Sequence, residues 1–242
     1  MTLEIHDYIQ PGRTAHLVGI GGVSMSPLAE VLHGAGVRIT GSDAHESGAV
    51  EHLRALGVPV TIGHLPESVE GADCVIRTAA VHDDNPEIAA ARRLGIPVFE
   101  RAQAWGAIMR HYHNALCVAG THGKTTTTSM VSLILDNAKT DPTILVGGNL
   151  AEIGGNVRVG HGKFFVTEAC EYMDSFLSLR PKIEIILNID SDHLDYFKDI
   201  DHIVNSFDRF SKLVPDDGLI VAYEANPFVN RVIKNRKNVV TF

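Results

Sequence analysis

A lysine and a threonine placed directly after a glycine, where a strand gives way to a helix, can do phosphate chemistry. The segment Cys117–Met130 reads "CVAGTHGKTTTTSM". Lys124 can reach the β- and γ-phosphates of a nucleotide and Thr125 can ligate Mg²⁺. The amides of Gly120, Thr121, His122, Gly123, Lys124, Thr125 and Thr126 can cradle phosphate oxygens. The ordinary P-loop has four residues between its glycines. Here only Thr121 and His122 separate Gly120 from Gly123, and Val118 stands where the first glycine belongs. A threonine-rich helix start would explain the threonines as caps, but not a Gly-Lys-Thr at the tip of an apolar strand. The expected ligand is ATP.

A Mg²⁺-phosphate site needs an acid from a neighbouring strand. "FFVTEAC" closes on Glu168, and Glu171 follows three residues later. "NIDSDHLDYF" (188–197) crowds Asn188, Asp190, Asp192, His193 and Asp195 after another apolar run. Such crowding is costly unless a cation or substrate occupies it. Thr125, Glu168 and His193 are therefore the candidate metal ligands, and Lys124, Glu168 and His193 the candidate catalytic groups. A solvated strand end and a structural histidine are the competing readings.

A second glycine cluster lies upstream. "HLVGIGGVSMSPLAE" sets Gly19, Gly21 and Gly22 between a strand and a helix, with Ser24 where a dinucleotide fingerprint has its last glycine. Asp43 ends the next strand, where an acid accepts hydrogen bonds from ribose hydroxyls. This motif alone leaves NAD and a UDP-sugar equally open.

Short apolar runs alternate with helical patterns throughout, which indicates parallel sheets covered on both faces. "AHLVGI", "VRITGSD", "VPVTIG", "CVIRTAAV" and "IPVFE" form a first set, and "NALCVAG", "TILVGG", "KFFVTEAC", "IEIILNID", "GLIVAYE" and "NVVTF" a second. The fold class is α/β: a Rossmann-like parallel-sheet domain at 1–110, then a truncated P-loop α/β ATPase domain at 111–242. The final apolar strand without a closing helix reads as a domain cut partway.

The 242 residues are 45% hydrophobic with a formal net charge of -8 and a mean hydropathy of +0.06. A core can be buried, and no basic excess exists to neutralise a nucleic-acid backbone. No apolar run reaches the roughly 18 residues of a membrane span. The N-terminus lacks a basic-then-apolar leader, so the expected location is cytoplasmic. Cys74, Cys117 and Cys170 lie far apart in apolar runs and are expected to be reduced and buried.

Together, "GIGGVSMSPLAEVL" with "GSD", "GTHGKTTT", "EACEYMDSF" and "NIDSDHLDYF" resemble the Mur ligases, ATP-dependent amide-forming enzymes of peptidoglycan precursor synthesis. The compact loop matches that family's ATP motif, and the motifs stand in family order over nearly the whole chain. Cys170 and Tyr172 replace the more usual aspartate and serine, and Ser24 and Pro27 stand where glycine is common. Among the family's branches the glycine cluster is most similar to the one using UDP-N-acetylmuramate and L-alanine. A branch that recycles murein tripeptide onto the same sugar nucleotide is the alternative, as is a non-catalytic UDP-sugar module; an NAD reductase is disfavoured by Lys124. The resemblance implies a UDP-sugar site at Gly19, Gly21, Gly22, Val23, Ser24, Asp43, Thr78 and Arg101. It also implies an ATP and Mg²⁺ site around Lys124, Thr125, Glu168 and His193, and further chain after Phe242. On that reading the chain binds the sugar nucleotide without turning over.

Overall fold

The computed structural model describes residues 4–78 and 80–242. It divides into two compact units, at Met1–Ala107 and Ile108–Phe242.

The first unit holds one parallel sheet made of β1 (Thr14–Val18), β2 (Arg38–Asp43), β3 (Val60–Ile62), β4 (Cys74–Arg77) and β5 (Val98–Glu100). The order is β3-β2-β1-β4-β5, so the chain reverses direction across the sheet between β1 and β4. Open α/β sheets bind ligands at such a switch point, beyond the carboxyl ends of the strands. The strands are shorter than the apolar runs because the turns begin early: after Val18, Gly19 already has φ +78°. Helices α1 (Ser26–Gly34), α2 (Gly48–Ala55) and α3 (Pro86–Arg93) connect them, and α4 (Arg101–Met109) contains the division between the units. Asn85 caps α3, accepting from Glu87 N at 2.9 Å, and Pro86 fixes its first turn. Val18, Val69, Val75, Ile88, Ala90 and Ala91 form the core beneath this helix.

The second unit carries seven strands in the order β12-β11-β10-β6-β9-β7-β8. They are β6 (Asn114–Ala119), β7 (Thr143–Leu150), β8 (Gly155–Arg158), β9 (Phe164–Ala169), β10 (Ile183–Ile186), β11 (Leu219–Ala222) and β12 (Val239–Thr241). Every pairing is parallel except β7 with β8. Helix α5 (Lys124–Asn137) follows β6, and Val131 and Leu135 pack on Leu116, Val118 and Val166 of the sheet. α6 (Ile200–Ser211) starts at Asp199, whose carboxylate accepts from His202 N at 2.8 Å. It buries Ile203, Phe207 and Phe210, spaced i, i+4, i+7 along one face. Phe176, from the segment after β9, stacks on Phe210 at 4.4 Å and meets Phe207 edge-on at 5.4 Å.

Two elements carry no counterpart in the sequence reading. β8, "GNVR", is short and polar, and its antiparallel pairing departs from the all-parallel expectation. α7 (Pro227–Ile233) is opened by Asn226 and Pro227, a start signal in plain view. Cys170 departs from the burial expected of all three cysteines. Cys74 and Cys117 are buried, but Cys170 is exposed, because it lies one residue past the end of β9. Burial pushes the Cys74 thiol up to about 12, far from reactive.

Candidate active site

Three loops leave the carboxyl ends of adjacent parallel strands in the second unit. β6 is flanked by β9 and β10, with Ala119 opposite both Ala169 and Ile186. The residues after those positions therefore converge: Gly120–Gly123, Cys170–Tyr172 and Leu187–Asp195. Gly120 has φ +143°, and a Cβ there would lie 3.0–3.2 Å from Leu187 and the Asn188 backbone. Only glycine fits both constraints. Asn188 braces the short loop, accepting from His122 N at 2.8 Å and donating to His122 O at 3.0 Å. Thr121 is tied to Asp190, whose amide donates to the Thr121 hydroxyl at 2.9 Å. Gly123, at φ +84°, precedes α5 with no side-chain cap, so the first-turn amides remain open to an anion.

Two carboxylates organise the rest. Lys124 Nζ donates to Glu171 Oε2 at 2.9 Å and to Gly120 O at 2.6 Å, and Glu171 is only 1% exposed. His193 Nε2 faces the same carboxylate at 4.0 Å, with its ring against Tyr172 at 4.7 Å. Tyr172 in turn donates to Asp195 at 2.8 Å. Glu168 forms the other half. It accepts from Thr125 Oγ1 at 3.1 Å and from Gly147 N at 2.5 Å. Lys124, Thr125, Glu168 and His193 thus share one strand edge, but the contacts join His193 to Glu171 and Thr125 to Glu168. Among the described residues no three His, Cys, Asp or Glu side chains form a metal cluster. A hydroxyl and a carboxylate at 3.1 Å are nonetheless the hard oxygen donors Mg²⁺ takes when phosphates and water complete its shell. Thr126 is exposed in the first turn of α5.

Strained backbone surrounds this edge. Met173, Asp174 and His193 all have left-handed φ, at 53°, 56° and 52°, a conformation that costs non-glycine residues of order 1–3 kcal/mol each. Asp174 is held there by the Ser206 hydroxyl and by Arg209 at 2.9 Å, both on α6. The helix thereby fixes the segment that follows Glu171.

In the first unit the glycine loop closes on β2. Gly21 N donates to Asp43 Oδ2 at 2.8 Å, and a Cβ on Gly21 would lie 2.9–3.1 Å from Val50, Asp43 and Ser47. Asp43 therefore binds the loop itself, beside any ribose it could receive. Thr78 directly follows the neighbouring β4, its methyl 3.2 Å from where a Gly19 Cβ would stand. Arg101 donates to Ser24 Oγ, Gly22 N donates to Gly19 O at 3.0 Å, and Val23 is 71% exposed. All eight sequence candidates thus lie on or beside one loop. Gly147 and Gly148 were not singled out in the sequence. A Cβ on Gly147 would stand 2.9 Å from Glu168, and one on Gly148 would be 3.2 Å from Thr125. The glycine pair ending the apolar run "TILVGG" was the available signal.

A switch-point sheet with a glycine loop, followed by a sheet bearing a short Gly-Lys-Thr loop, defines a Rossmann-like domain joined to an ATPase-like α/β domain. The chain belongs to the Mur ligase family: residues 14–113 match the model described as Mur ligase family, catalytic domain, and residues 118–242 match the Mur ligase middle domain. It is 55% identical over 94% of its length to a UDP-N-acetylmuramate–L-alanine ligase of Caldanaerobacter subterraneus, and 50% identical to that of Acetivibrio thermocellus. The chain spans about half the length of the curated relatives it matches. Among solved structures it resembles the UDP-N-acetylmuramate–alanine ligase of Thermotoga maritima, with a TM-score of 0.77 and 32% identity over 90% of this chain and 51% of that one. It also resembles a UDP-N-acetylmuramate:L-alanyl-γ-D-glutamyl-meso-diaminopimelate ligase of Neisseria meningitides, with a TM-score of 0.83 and 30% identity over 95% and 78%.

Proposed function

We propose that this chain forms the sugar-nucleotide and ATP sites of a cytoplasmic ligase that joins L-alanine to UDP-N-acetylmuramate in peptidoglycan precursor synthesis. The observation that carries the reading is the pairing of Lys124 with Glu171 and of Thr125 with Glu168 around a two-residue Gly120–Gly123 loop. The 55% and 50% identical relatives bear that ligase's name.

Chemically, a carboxylate and an amine do not condense in water, because carboxylate oxygen is a poor leaving group. The γ-phosphoryl of ATP would pass to the lactyl carboxylate of UDP-N-acetylmuramate, releasing ADP and leaving an acyl phosphate. The α-amine of L-alanine would then attack the acyl carbon. The C–O bond breaks, phosphate leaves with the electron pair, the attacking nitrogen gives up one proton to the departing phosphate or water, and the amide forms. Lys124 would exchange Glu171 and Gly120 O for the β- and γ-phosphate oxygens, its charge meeting the charge that develops in transfer. The open amides at the start of α5 would bind the same oxygens. Mg²⁺, held by Thr125 Oγ1 and Glu168, would neutralise phosphate charge. His193, facing Glu171, would contact the transferred phosphoryl group. Gly19, Gly21, Gly22, Val23, Ser24, Asp43, Thr78 and Arg101 would receive the UDP group.

The Lys124→Ala variant tests the ATP half. Charge-assisted bonds to phosphate contribute about 1.5–3 kcal/mol, so MgATP affinity measured by calorimetry should fall roughly 10- to 100-fold. Unchanged affinity would contradict the assignment. The likeness to the Neisseria ligase favours a second reading, in which the incoming amine belongs to a peptide. Amide formation with L-alanine against L-alanyl-γ-D-glutamyl-meso-diaminopimelate, in a chain of the relatives' full length, separates the two.

A further inference from the structure

Beneath the glycine loop of the first unit lies a buried carboxylate that the proposed chemistry does not use. Glu87, the second residue of α3, is fully buried. A helix start favours its charge, but burial would be costly without partners. Ser42 Oγ donates to Glu87 Oε2 at 2.5 Å, and His64 Nδ1 lies 3.1 Å from the same oxygen. His16 Nε2 stands 3.5 Å from Oε1, with its other nitrogen 2.9 Å from Thr40 Oγ1. Burial pushes the Glu87 carboxyl up, but His16, Ser42 and His64 outweigh it and hold the group below its ordinary value.

Ser42 is where this cluster meets the loop. Its carbonyl accepts from Gly19 N at 2.8 Å and from Ile20 N at 2.9 Å. The next residue, Asp43, accepts from Gly21 N at 2.8 Å. Three consecutive loop amides therefore hang on the Ser42–Asp43 dipeptide. The ladder between β1 and β2 stops at the Val18–Ser42 pair, while on the other side of β2 the pairing with β3 runs on, Ser42 opposite Thr61 and Asp43 opposite Ile62. The Ser42 hydroxyl adds a side-chain anchor to that ladder, meeting Glu87 Oε2 at 2.5 Å and His64 Nδ1 at 3.1 Å.

We propose that Glu87 is a positioning residue for the glycine loop: it fixes Ser42 from below and, through the bonds that Gly19, Ile20 and Gly21 make to Ser42 and Asp43, holds the shape of the loop that a ligand meets. The ligand named, UDP-N-acetylmuramate, rests on the reading under Proposed function.

Amide hydrogen exchange by NMR in the 242-residue chain tests the positioning without any ligand. Glu87→Ala should speed exchange at Gly19, Ile20 and Gly21 by about tenfold or more, while Leu116 and Val118 in the second unit keep their rates. Glu87→Gln, which still accepts from Ser42, should restore rates to within about twofold. Unchanged exchange at the three amides in Glu87→Ala would overturn the proposal, as would equal acceleration in both units or a Gln variant as impaired as Ala. If Glu87→Ala does not fold, Ser42→Ala carries the test: faster exchange at the same amides supports the proposal, unaltered exchange overturns it. Calorimetry with UDP-N-acetylmuramate follows, and Glu87→Ala should weaken binding by about tenfold while sparing MgATP. A wild-type chain that ignores the sugar nucleotide while Glu87→Ala still loosens the loop would refute the ligand assignment and leave the positioning role standing.

Discussion

At the scale of single residues, the Gly120–Gly123 loop is braced by Asn188, and the two side chains that follow it rest on carboxylates. Lys124 rests on Glu171 and Thr125 on Glu168, so both side chains are preset before a nucleotide arrives. Gly147 keeps Glu168 in place through its amide, and has no room for a side chain. Gly147→Ala should push the Glu168 carboxylate aside and cut the Mg²⁺-dependent part of ATP binding by about tenfold, a loss of one charge-assisted contact. Titrations with and without Mg²⁺ check it; equal affinity in the variant and the parent would disprove the role. Lys124 and Thr125 were legible in the sequence because a Gly-Lys-Thr after an apolar run has few other uses. Gly147 and Glu87 were not. Their importance depends on which strand lies beside which, and that register is not written in local spacing.

At the scale of elements, β10 carries an unusual burden. Glu184 is fully buried in this central strand, opposite Cys117 of β6, with neither carboxyl oxygen at hydrogen-bond geometry. Burial raises its pKa from 4.5 to about 8, against the opposing pull of Ser211 and Arg236. The folded state therefore holds the proton more tightly than the unfolded chain. Stability is greatest below pH 4.5 as far as this group is concerned, and is lost progressively as pH rises to about 8. Glu184→Gln should remove that decline, with a gain on the order of a few kcal/mol by pH 8. Urea unfolding between about pH 5 and 9 measures it, and parallel pH profiles for both proteins would refute it. α6 works by packing and by ion pairing. Its Phe207 and Phe210 clamp Phe176, while Ser206 and Arg209 hold Asp174. Phe207→Ala should cost about 3–5 kcal/mol in the same unfolding assay, and a loss under about 1 kcal/mol would show that the clamp is dispensable. α6 is legible in the apolar spacing of "IVNSFDRFSKLV", although the helix begins earlier, at Ile200 after its Asp199 cap. The edge strand β8 is not, since four polar or small residues carry no period that separates a strand from a loop.

At the scale of the whole molecule, two sheets present glycine loops at the carboxyl ends of their strands, one in each compact unit. The alternation of apolar runs and helices made that plan visible in the sequence, since parallel strands buried on both faces need continuous apolar residues. The choice between NAD and a UDP-sugar was not visible in the first loop, whose glycines would serve either. The central claim is a division of labour: sugar nucleotide on the first unit, ATP on the second. Changes at independent sites combine to within about 0.5 kcal/mol, or about twofold in affinity. The direct measurement is calorimetric titration of UDP-N-acetylmuramate into the wild-type chain and into Lys124→Ala. Both should bind the sugar nucleotide with the same affinity to within about twofold. No heat with the wild type, or loss of sugar-nucleotide binding together with ATP binding in Lys124→Ala, would contradict the account.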